Sequence, residues 1–274
     1  MVLSENDLQI CFHTALGLVK EAGLHVSKAF HSMKSVTLKT GDIDLVTETD
    51  HFVEALIKDA LKAKFPSHKF IGEESGQDKP GLTDDPTWIL DPIDGTMNFV
   101  HTYPSTCVSL ALWVDKDPEI GVIYNPITQE LYAAQRRRGA TLNGFPIRVS
   151  TQMDLTKSLI ITETGTSRDE AKMNVVKANI ATLLPKVHGF RMTGAAALDL
   201  ALIARGAAEV YYEFGLHIWD MAAATVIIRE AGGVVVDTSG GPFDPMSRRI
   251  IAAANHELVN QIAPMLRQIE LERD

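Results

Sequence analysis

Long stretches of helical apolar spacing alternate along the chain with short apolar runs punctuated by Pro, Gly, Asn and Asp. From about Ser4 to Met33 apolar side chains recur at helical spacing, with Ser4 placed to cap the helix and Asp7 in its first turn. Lys39-Thr40-Gly41-Asp42 reads as an exposed turn leading into Leu45-Val46-Thr47-Glu48-Thr49-Asp50. Phe52, Leu56, Ile57, Ala60 and Leu61 then mark a second amphipathic helix, which puts Asp50 near a helix start. Lys69 to Ser75 is a short strand ending in Glu73 and Glu74. Neighbouring side chains on extended backbone point to opposite faces, so only one of the two acids can point straight into a given site. Gln77 to Pro86 reads as a loop. Trp88, Ile89 and Leu90 read as the end of a buried strand, stopped by Pro92, which has no amide hydrogen to give to a ladder. Asp94-Gly95-Thr96 then looks like the cap and first turn of a helix.

Ser105 to Gln135 carries three strands of an antiparallel meander, broken at Asp115-Lys116-Asp117-Pro118 and Asn125-Pro126. Arg136-Arg137-Arg138-Gly139 is either a solvated turn or an anion holder, and Asn143-Gly144 is a tight-turn signal. A strand near Ser158 to Glu163 precedes a helix from about Asp169 to Leu184, closed by Pro185. Thr193 to Leu198 is a small-residue start of a helix ending near Arg205-Gly206, serving tight packing or offering amides to a ligand. Glu209 to Glu213 is a strand ending in an acid. His217-Ile218-Trp219-Asp220 opens a long apolar helix that stops at Gly232-Gly233. Val234 to Asp237 is a strand, and a last helix begins near Asn255. No repeat, low-complexity segment or Gly/Ser linker divides the chain.

Composition narrows the function. At 274 residues and 45% hydrophobic content the chain can bury a sizeable core. A net charge of -9 argues against nucleic acid or an acidic membrane as the main partner. Cys11 and Cys107 lie far apart without metal-site spacing, which suits buried thiols in a reducing compartment. Met1 to Cys11 lacks a signal-peptide pattern and no apolar run approaches membrane-spanning length, so a cytoplasmic protein is expected.

The chemistry gathers in acids at strand and helix ends: Asp50, Glu73, Asp91 with Asp94, and Asp220. One Asp at a helix start is usually a cap, but two acids on a rigid Pro turn followed by Gly-Thr have little packing purpose. Clustered carboxylates repel unless cations neutralise them, which predicts Mg²⁺ or a similar oxygen-loving ion holding a phosphate. Walker and dinucleotide glycine loops are absent. Asp91 and Asp94 are separated by two residues, where a phosphoaspartyl enzyme would want one, so direct attack by water fits better. Asp42-Ile43-Asp44 lacks the glycine and glutamate of an EF-hand, and zinc would prefer His and Cys. His101 and His217 lie near the motifs, as packed residues or as participants in the chemistry.

Three motifs are similar to signatures of the inositol monophosphatase family: Gly72-Glu73-Glu74-Ser75, Asp91-Pro92-Ile93-Asp94-Gly95-Thr96-Met97-Asn98-Phe99, and Trp219-Asp220 followed by Glu230-Ala231-Gly232-Gly233. The likeness extends to Asp44-Leu45-Val46-Thr47 with Asp50, to Tyr211-Tyr212-Glu213 and to Gly240-Gly241-Pro242-Phe243-Asp244, and so resembles the eukaryotic members over nearly the whole chain. Met97 stands where a second Thr is commonest, and Ala195 where Thr often follows Gly194.

The resemblance implies an α/β fold, an αβαβα sandwich of the sugar-phosphatase type, as one catalytic domain over residues 1–274. It implies a Mg²⁺-dependent phosphatase that hydrolyses myo-inositol monophosphates with a metal-activated water, two or three ions per site, inhibition by Li⁺ and a homodimer. One ion would be held by Glu73, Asp91 and the Ile93 carbonyl, a second by Asp91, Asp94 and Asp220, and a looser third near Glu73. Thr96 paired with Asp50 would orient the attacking water, making Asp50, Glu73, Asp91 and Thr96 the implied catalytic group. The Gly95 and Thr96 amides would hold phosphate oxygens. Asp94, Gly194, Ala195, Ala196 and Glu213 would contact the ring beside Asp220, with Glu213 the main specificity residue. Lys39 resembles a family lysine near the metals, or is an exposed loop charge. A related phosphatase for fructose bisphosphate, a phosphoadenosine nucleotide or histidinol phosphate is the nearer alternative; a regulatory binding protein on the same fold is the further one.

Overall fold

The computed structural model describes residues 3–39, 44–74 and 81–274. The turn expected at 40–42, Ser75 and the first part of the 77–86 loop lie outside them. Helix α1 (Glu5–Phe30) begins where Ser4 and Asp7 form a reciprocal capping box, the Asp7 amide donating to Ser4 Oγ at 3.2 Å and the Ser4 amide to Asp7 Oδ2 at 3.0 Å. Strands β1 (Val36–Leu38) and β2 (Leu45–Thr47) pair antiparallel and lead to α2 (Glu48–Lys64), which Thr47 and Asp50 cap in the same way. The face that α2 buries is Val53, Ile57 and Leu61 with Asp50 and Glu54. Phe52, expected on it, is 49% exposed and lies against His25 at 4.8 Å between ring centres.

The first sheet runs in chain order: β3 (Lys69–Gly72), β4 (Thr87–Asp94), β5 (Cys107–Val114), β6 (Asp117–Asn125), β7 (Glu130–Gln135), β8 (Ala140–Leu142) and β9 (Phe145–Pro146). Only β3 and β4 are parallel; the rest is antiparallel, with the expected three-stranded meander as β5, β6 and β7. Pro92 does not stop β4, contrary to the sequence expectation. The strand runs on to Asp94 through a register shift against β5, from Asp91 opposite Ser109 to Asp94 opposite Cys107. A bulge is one of the places where a sheet tolerates proline, and β3, on the other side, is paired only as far as Gly72 with Leu90.

The short helix α3 (Thr96–Val100) follows β4. The second sheet is built from β10 (Leu159–Thr162), β11 (Gly189–Arg191), β12 (Val210–Phe214), β13 (Val234–Val236) and β14 (Arg249–Ala253), in the order β11-β10-β12-β14-β13. Helices α4 (Glu170–Leu183), α5 (Ala196–Ala204), α6 (Ile218–Glu230) and α7 (His256–Ile262) connect or follow these strands. Strands β11 and β14 are not announced by the pattern. The run Ile250-Ile251-Ala252-Ala253-Ala254 reads as readily as helix, and only pairing between β12 and β13 makes it a strand.

Three apolar cores separate the layers. One joins α1 and α2 to one face of the first sheet through Trp88, Leu90, Leu110 and Leu112. The middle core packs α5 and α6 between Ile89, Ala111 and Trp113 of the first sheet and Tyr211, Ile250 and Ala252 of the second. The third covers the outer face of the second sheet with Leu183, Leu258 and Ile262. The result is the expected αβαβα order. Alternation along β4 puts Asp91 on the face of Ile89, toward α6, and alternation along β12 puts Glu213 on the face of Tyr211. Both acids therefore enter the middle layer from opposite sheets.

The arginine run holds an anion, but through its backbone. The amides of Arg137, Arg138 and Gly139 donate to the Glu230 carboxylate at 2.7, 3.1 and 2.8 Å. The guanidiniums of Arg136 and Arg138 pair with Asp117, Glu119 and Glu5.

Candidate active site

Asp91, Asp94 and Asp220 each bring a carboxylate oxygen within 4.8 Å of the others. Asp91 and Asp94 come from the bulged end of β4, Asp220 from the first turn of α6. Among the described residues no lysine or arginine pairs with any of them, and Asp91 Oδ1 is buried without a hydrogen-bond partner. Burial and then the charges of Glu73, Asp94 and Asp220 hold the Asp91 carboxyl well above its ordinary range. Burial, opposed by the Ala197 amide, pushes Asp94 up to about 7, and burial, opposed by His217, does the same to Asp220. Buried acids repelling one another around an orphaned oxygen are the donor set of a hard, oxygen-loving cation, so these residues fit the Mg²⁺ their spacing implies.

Asp94 does not cap its own helix, as the sequence suggested. Gly95 is the N-cap of α3, at φ 81°, and no side chain caps that helix. The Asp94 carboxylate instead accepts the Ala196 and Ala197 amides at 3.1 and 2.8 Å, capping α5 from 102 residues away. Gly95 is fixed by crowding as well as by φ: a Cβ there would meet the Ser105 carbonyl at 2.8 Å and Ala195 Cβ at 3.0 Å. Of the amides at the start of α5, those of Ala196 and Ala197 are thus held by Asp94, and that of Gly194 donates to Glu163 Oε1 at 2.8 Å. Ala195 is buried as the N-cap of α5, and Met97 sits half-exposed on α3.

Thr96 Oγ1 lies 3.0 Å from the Ile93 carbonyl and 3.4 Å from Asp50 Oδ1. Asp50 is fully buried, its other oxygen taken by the Thr47 amide at 2.9 Å and the Thr47 hydroxyl, and burial raises its carboxyl to about 6. Glu73 stands outside the three-acid cluster. Its Oε1 accepts from Lys39 Nζ at 2.7 Å, while its charge is felt at Asp91. Glu74 also reaches Lys39. Strict alternation fails at these two acids because β3 ends at Gly72, leaving both carboxylates free to converge on one ammonium. Burial opposes the Lys39 charge, yet the two glutamates hold it above its usual range, so Lys39 belongs to the site rather than to solvent.

Glu213 is 3% exposed and accepts the Tyr211 hydroxyl; burial pushes its carboxyl up to about 8. His217 is a packed support. Arg248 Nη2 donates to its Nε2 at 3.1 Å, which leaves the proton on Nδ1 to bond Asp274 at 2.5 Å, and the ring stacks on Trp219. His101 is exposed at the end of α3.

Four supporting residues were not singled out from sequence. Asn98 donates to the Ser105 and Thr193 carbonyls at 2.8 and 2.7 Å, tying α3 to the start of α5. Asp199 is fully buried with Thr193 Oγ1 on one oxygen at 2.6 Å. Burial, opposed by the Thr193 hydroxyl and reinforced by the charge of Glu163, raises it to about 9, and its other oxygen is buried without a hydrogen-bond partner. A lone acid inside Ala196-Ala197-Leu198-Asp199-Leu200-Ala201 was a readable signal. Arg248, which also donates to the Leu216 carbonyl at 3.1 Å, and Asp274 gave none.

A five-layer sandwich that gathers carboxylates at the bulged end of an inner strand defines a class of α/β protein, and the comparisons place the chain within it. A profile of the inositol monophosphatase family matches residues 7–271. Human inositol monophosphatase 2 is 50% identical over 267 residues, covering 96% of this chain and 93% of that protein. The structure of extragenic suppressor protein suhB from Bartonella henselae superposes with a TM-score of 0.86 at 32% identity, over 94% of this chain and 99% of that one. Inositol monophosphatase from Anabaena (Nostoc) gives 0.81 at 31%, over 95% and 97%. The chain belongs to the inositol monophosphatase family.

Proposed function

We propose that the protein is a Mg²⁺-dependent phosphomonoesterase that hydrolyses myo-inositol monophosphates to inositol and phosphate, as a single catalytic domain. The observation that carries this reading is the mutually repelling set of buried Asp91 and Asp94 with part-buried Asp220, with an orphaned Asp91 oxygen and no lysine or arginine paired with it among the described residues. Asp91, Asp94, Asp220, Glu73 and the Ile93 carbonyl are the groups that would hold the ions. When bound, Mg²⁺ would supply charge neutralisation, an acidified water and polarisation of the phosphate.

The chain's own residues do the rest. Thr96 has one hydroxyl proton; donating it to Asp50 leaves its lone pair facing outward to accept from the attacking water and aim it at phosphorus. Asp50 is held for this by Thr47. The uncapped α3 start presents the Gly95 and Thr96 amides to phosphate oxygens as charge develops. Glu213, facing the site from the second sheet, accepts hydrogen bonds from ring hydroxyls, beside Gly194 to Ala196. Lys39 pairs with Glu73 and Glu74 while the site is free and must yield Glu73 if a looser ion binds there. Inhibition by Li⁺, a homodimer and residence in the cytoplasm complete the reading; among the described residues no helix is long and apolar enough to cross a membrane.

The test is phosphate release from a panel of esters: inositol monophosphate, fructose bisphosphate, a phosphoadenosine nucleotide and histidinol phosphate, with and without Mg²⁺ and Li⁺. Preference for the inositol ester, lost on Mg²⁺ removal, supports the reading; equal or better turnover of another ester overturns the substrate, and turnover without metal overturns the mechanism.

A further inference from the structure

Lys172 lies in the first turn of α4, where a helix start disfavours a cation, and is only 4% exposed although its neighbours Asp169, Glu170 and Ala171 are exposed. Its amide is capped by Asp169 Oδ1 at 2.8 Å. Its Nζ donates to no group among the described residues. A lysine held this far out of solvent loses much of the hydration of its charge, so its place calls for an explanation.

The ammonium sits in a slot made by two glycines. A Cβ on Gly215 would lie 2.5 Å from Nζ, and a Cβ on Gly165 would lie 2.7 Å from it. Both glycines have left-handed backbone, with φ of 97° and 62°, so they are poorly replaced even before the clash. Glu213 Oε1 lies 3.5 Å from the same Gly165 point, which brings the ammonium near Glu213 without a direct ion pair, and the two charges act on each other. The other oxygen, Oε2, is taken by Tyr211. Other charges felt by Lys172 come from Arg248, Arg168 and Asp169. Arg248 Nη2 holds the Gly215 carbonyl at 3.2 Å, fixing the far wall of the slot.

We propose that Lys172 is the positioning residue behind Glu213: from the slot between Gly165 and Gly215 its ammonium favours the hydrogen-bond-accepting carboxylate of Glu213 and draws it into place, and so selects phosphate esters whose far end carries adjacent neutral hydroxyls. This rests on the reading of Glu213 as the ring contact. A carboxylate buried beside Tyr211 alone would favour its neutral acid form, which donates one hydrogen bond where a polyol needs an acceptor. The nearby cation works against that preference without occupying the ring site.

The experiment compares kcat and KM for inositol 1-phosphate and 2-glycerophosphate in the wild type, K172M, E213Q and the double variant, with Mg²⁺ present. K172M should raise KM for the inositol ester and lower its selectivity ratio over 2-glycerophosphate about tenfold, the size of one lost charge-assisted interaction. The double variant should lose no more selectivity than E213Q alone, because both changes remove one device. K172A supplies a second arm: methylammonium or ethylammonium should restore part of the ratio by refilling the slot. A K172M ratio equal to the wild type's, or losses that multiply in the double variant, overturns the proposal. If the wild type itself shows no preference for the inositol ester, the proposed substrate falls first, which separates that failure from this one.

Discussion

Two groups of buried acids line the site, and they are balanced in opposite ways. Asp91, Asp94 and Asp220 have no protein cation among the described residues, and the charge most felt at Asp91 is that of another acid, Glu73. Glu213, on the facing sheet, has a tyrosine on one oxygen and feels the charge of the Lys172 ammonium. The proposed ion would complete the first group; the second has a cation of the chain near it. On the proposed reading, a site that exchanges metal at one end and holds a neutral ring at the other needs both solutions, since a protein lysine among the three aspartates would displace the ion, and a second metal site at Glu213 would bind anions instead of hydroxyls.

The sharpest way to break the contrast is at the metal end. D91N and D220N should each lower phosphate release by about a thousandfold or more in saturating Mg²⁺. Their metal-free melting temperatures should rise, because each removes one of several repelling charges. D94A should lose activity and stability together, since it strips the Ala196 and Ala197 amides of their acceptor at about 1–3 kcal/mol each; chemical denaturation would read this.

The pH dependence separates the two ends further. In the metal-free protein Asp94 and Asp220 titrate near 7 and Glu213 near 8, against about 4 for unfolded carboxyls. Folding therefore takes up protons between about pH 4 and 8, and the stability these groups contribute is full at the acid end and lost as pH rises. Melting temperature without metal should rise as pH falls from 8 to 5. Mg²⁺ should reverse the slope, because it binds only the ionised aspartates, whereas D94N should flatten it without metal. The smallest effect is expected far from both ends. E230Q weakens the hold on the Arg137 to Gly139 amides and should cost about 1 kcal/mol with selectivity intact, checked by denaturation and the same ester pair.

Much of this was legible in the sequence. The Ser4 cap, the helix starts near Asp50, Asp169 and Asn255, the meander and the Asn143-Gly144 turn follow from local chemistry, and local chemistry survives folding. The acids at element ends were legible for the same reason, and the structure brings Asp91, Asp94 and Asp220 together from positions 129 residues apart. What escaped was decided by neighbours distant in sequence. Pro92 ends a strand in isolation but sits in a bulge when β5 shifts register beside it. Asp94 looks like a cap for the residues after it and caps α5 instead. Strand β14 exists because β12 and β13 flank it. Nothing near Asp274 announces that it fixes the tautomer of His217, and a lysine in a helix start gives no hint of two glycines folding over it.

Asp94 carries a last consequence. Its carboxylate faces the proposed ion and at the same time ties the first sheet to α5 of the middle layer, so it is brick and reagent in one residue. Drift at this position would be punished twice, once in folding and once in turnover. A catalytically silent version of this protein, made to ask whether the fold has duties beyond hydrolysis, belongs at Asp91, whose free oxygen supports no neighbouring amide.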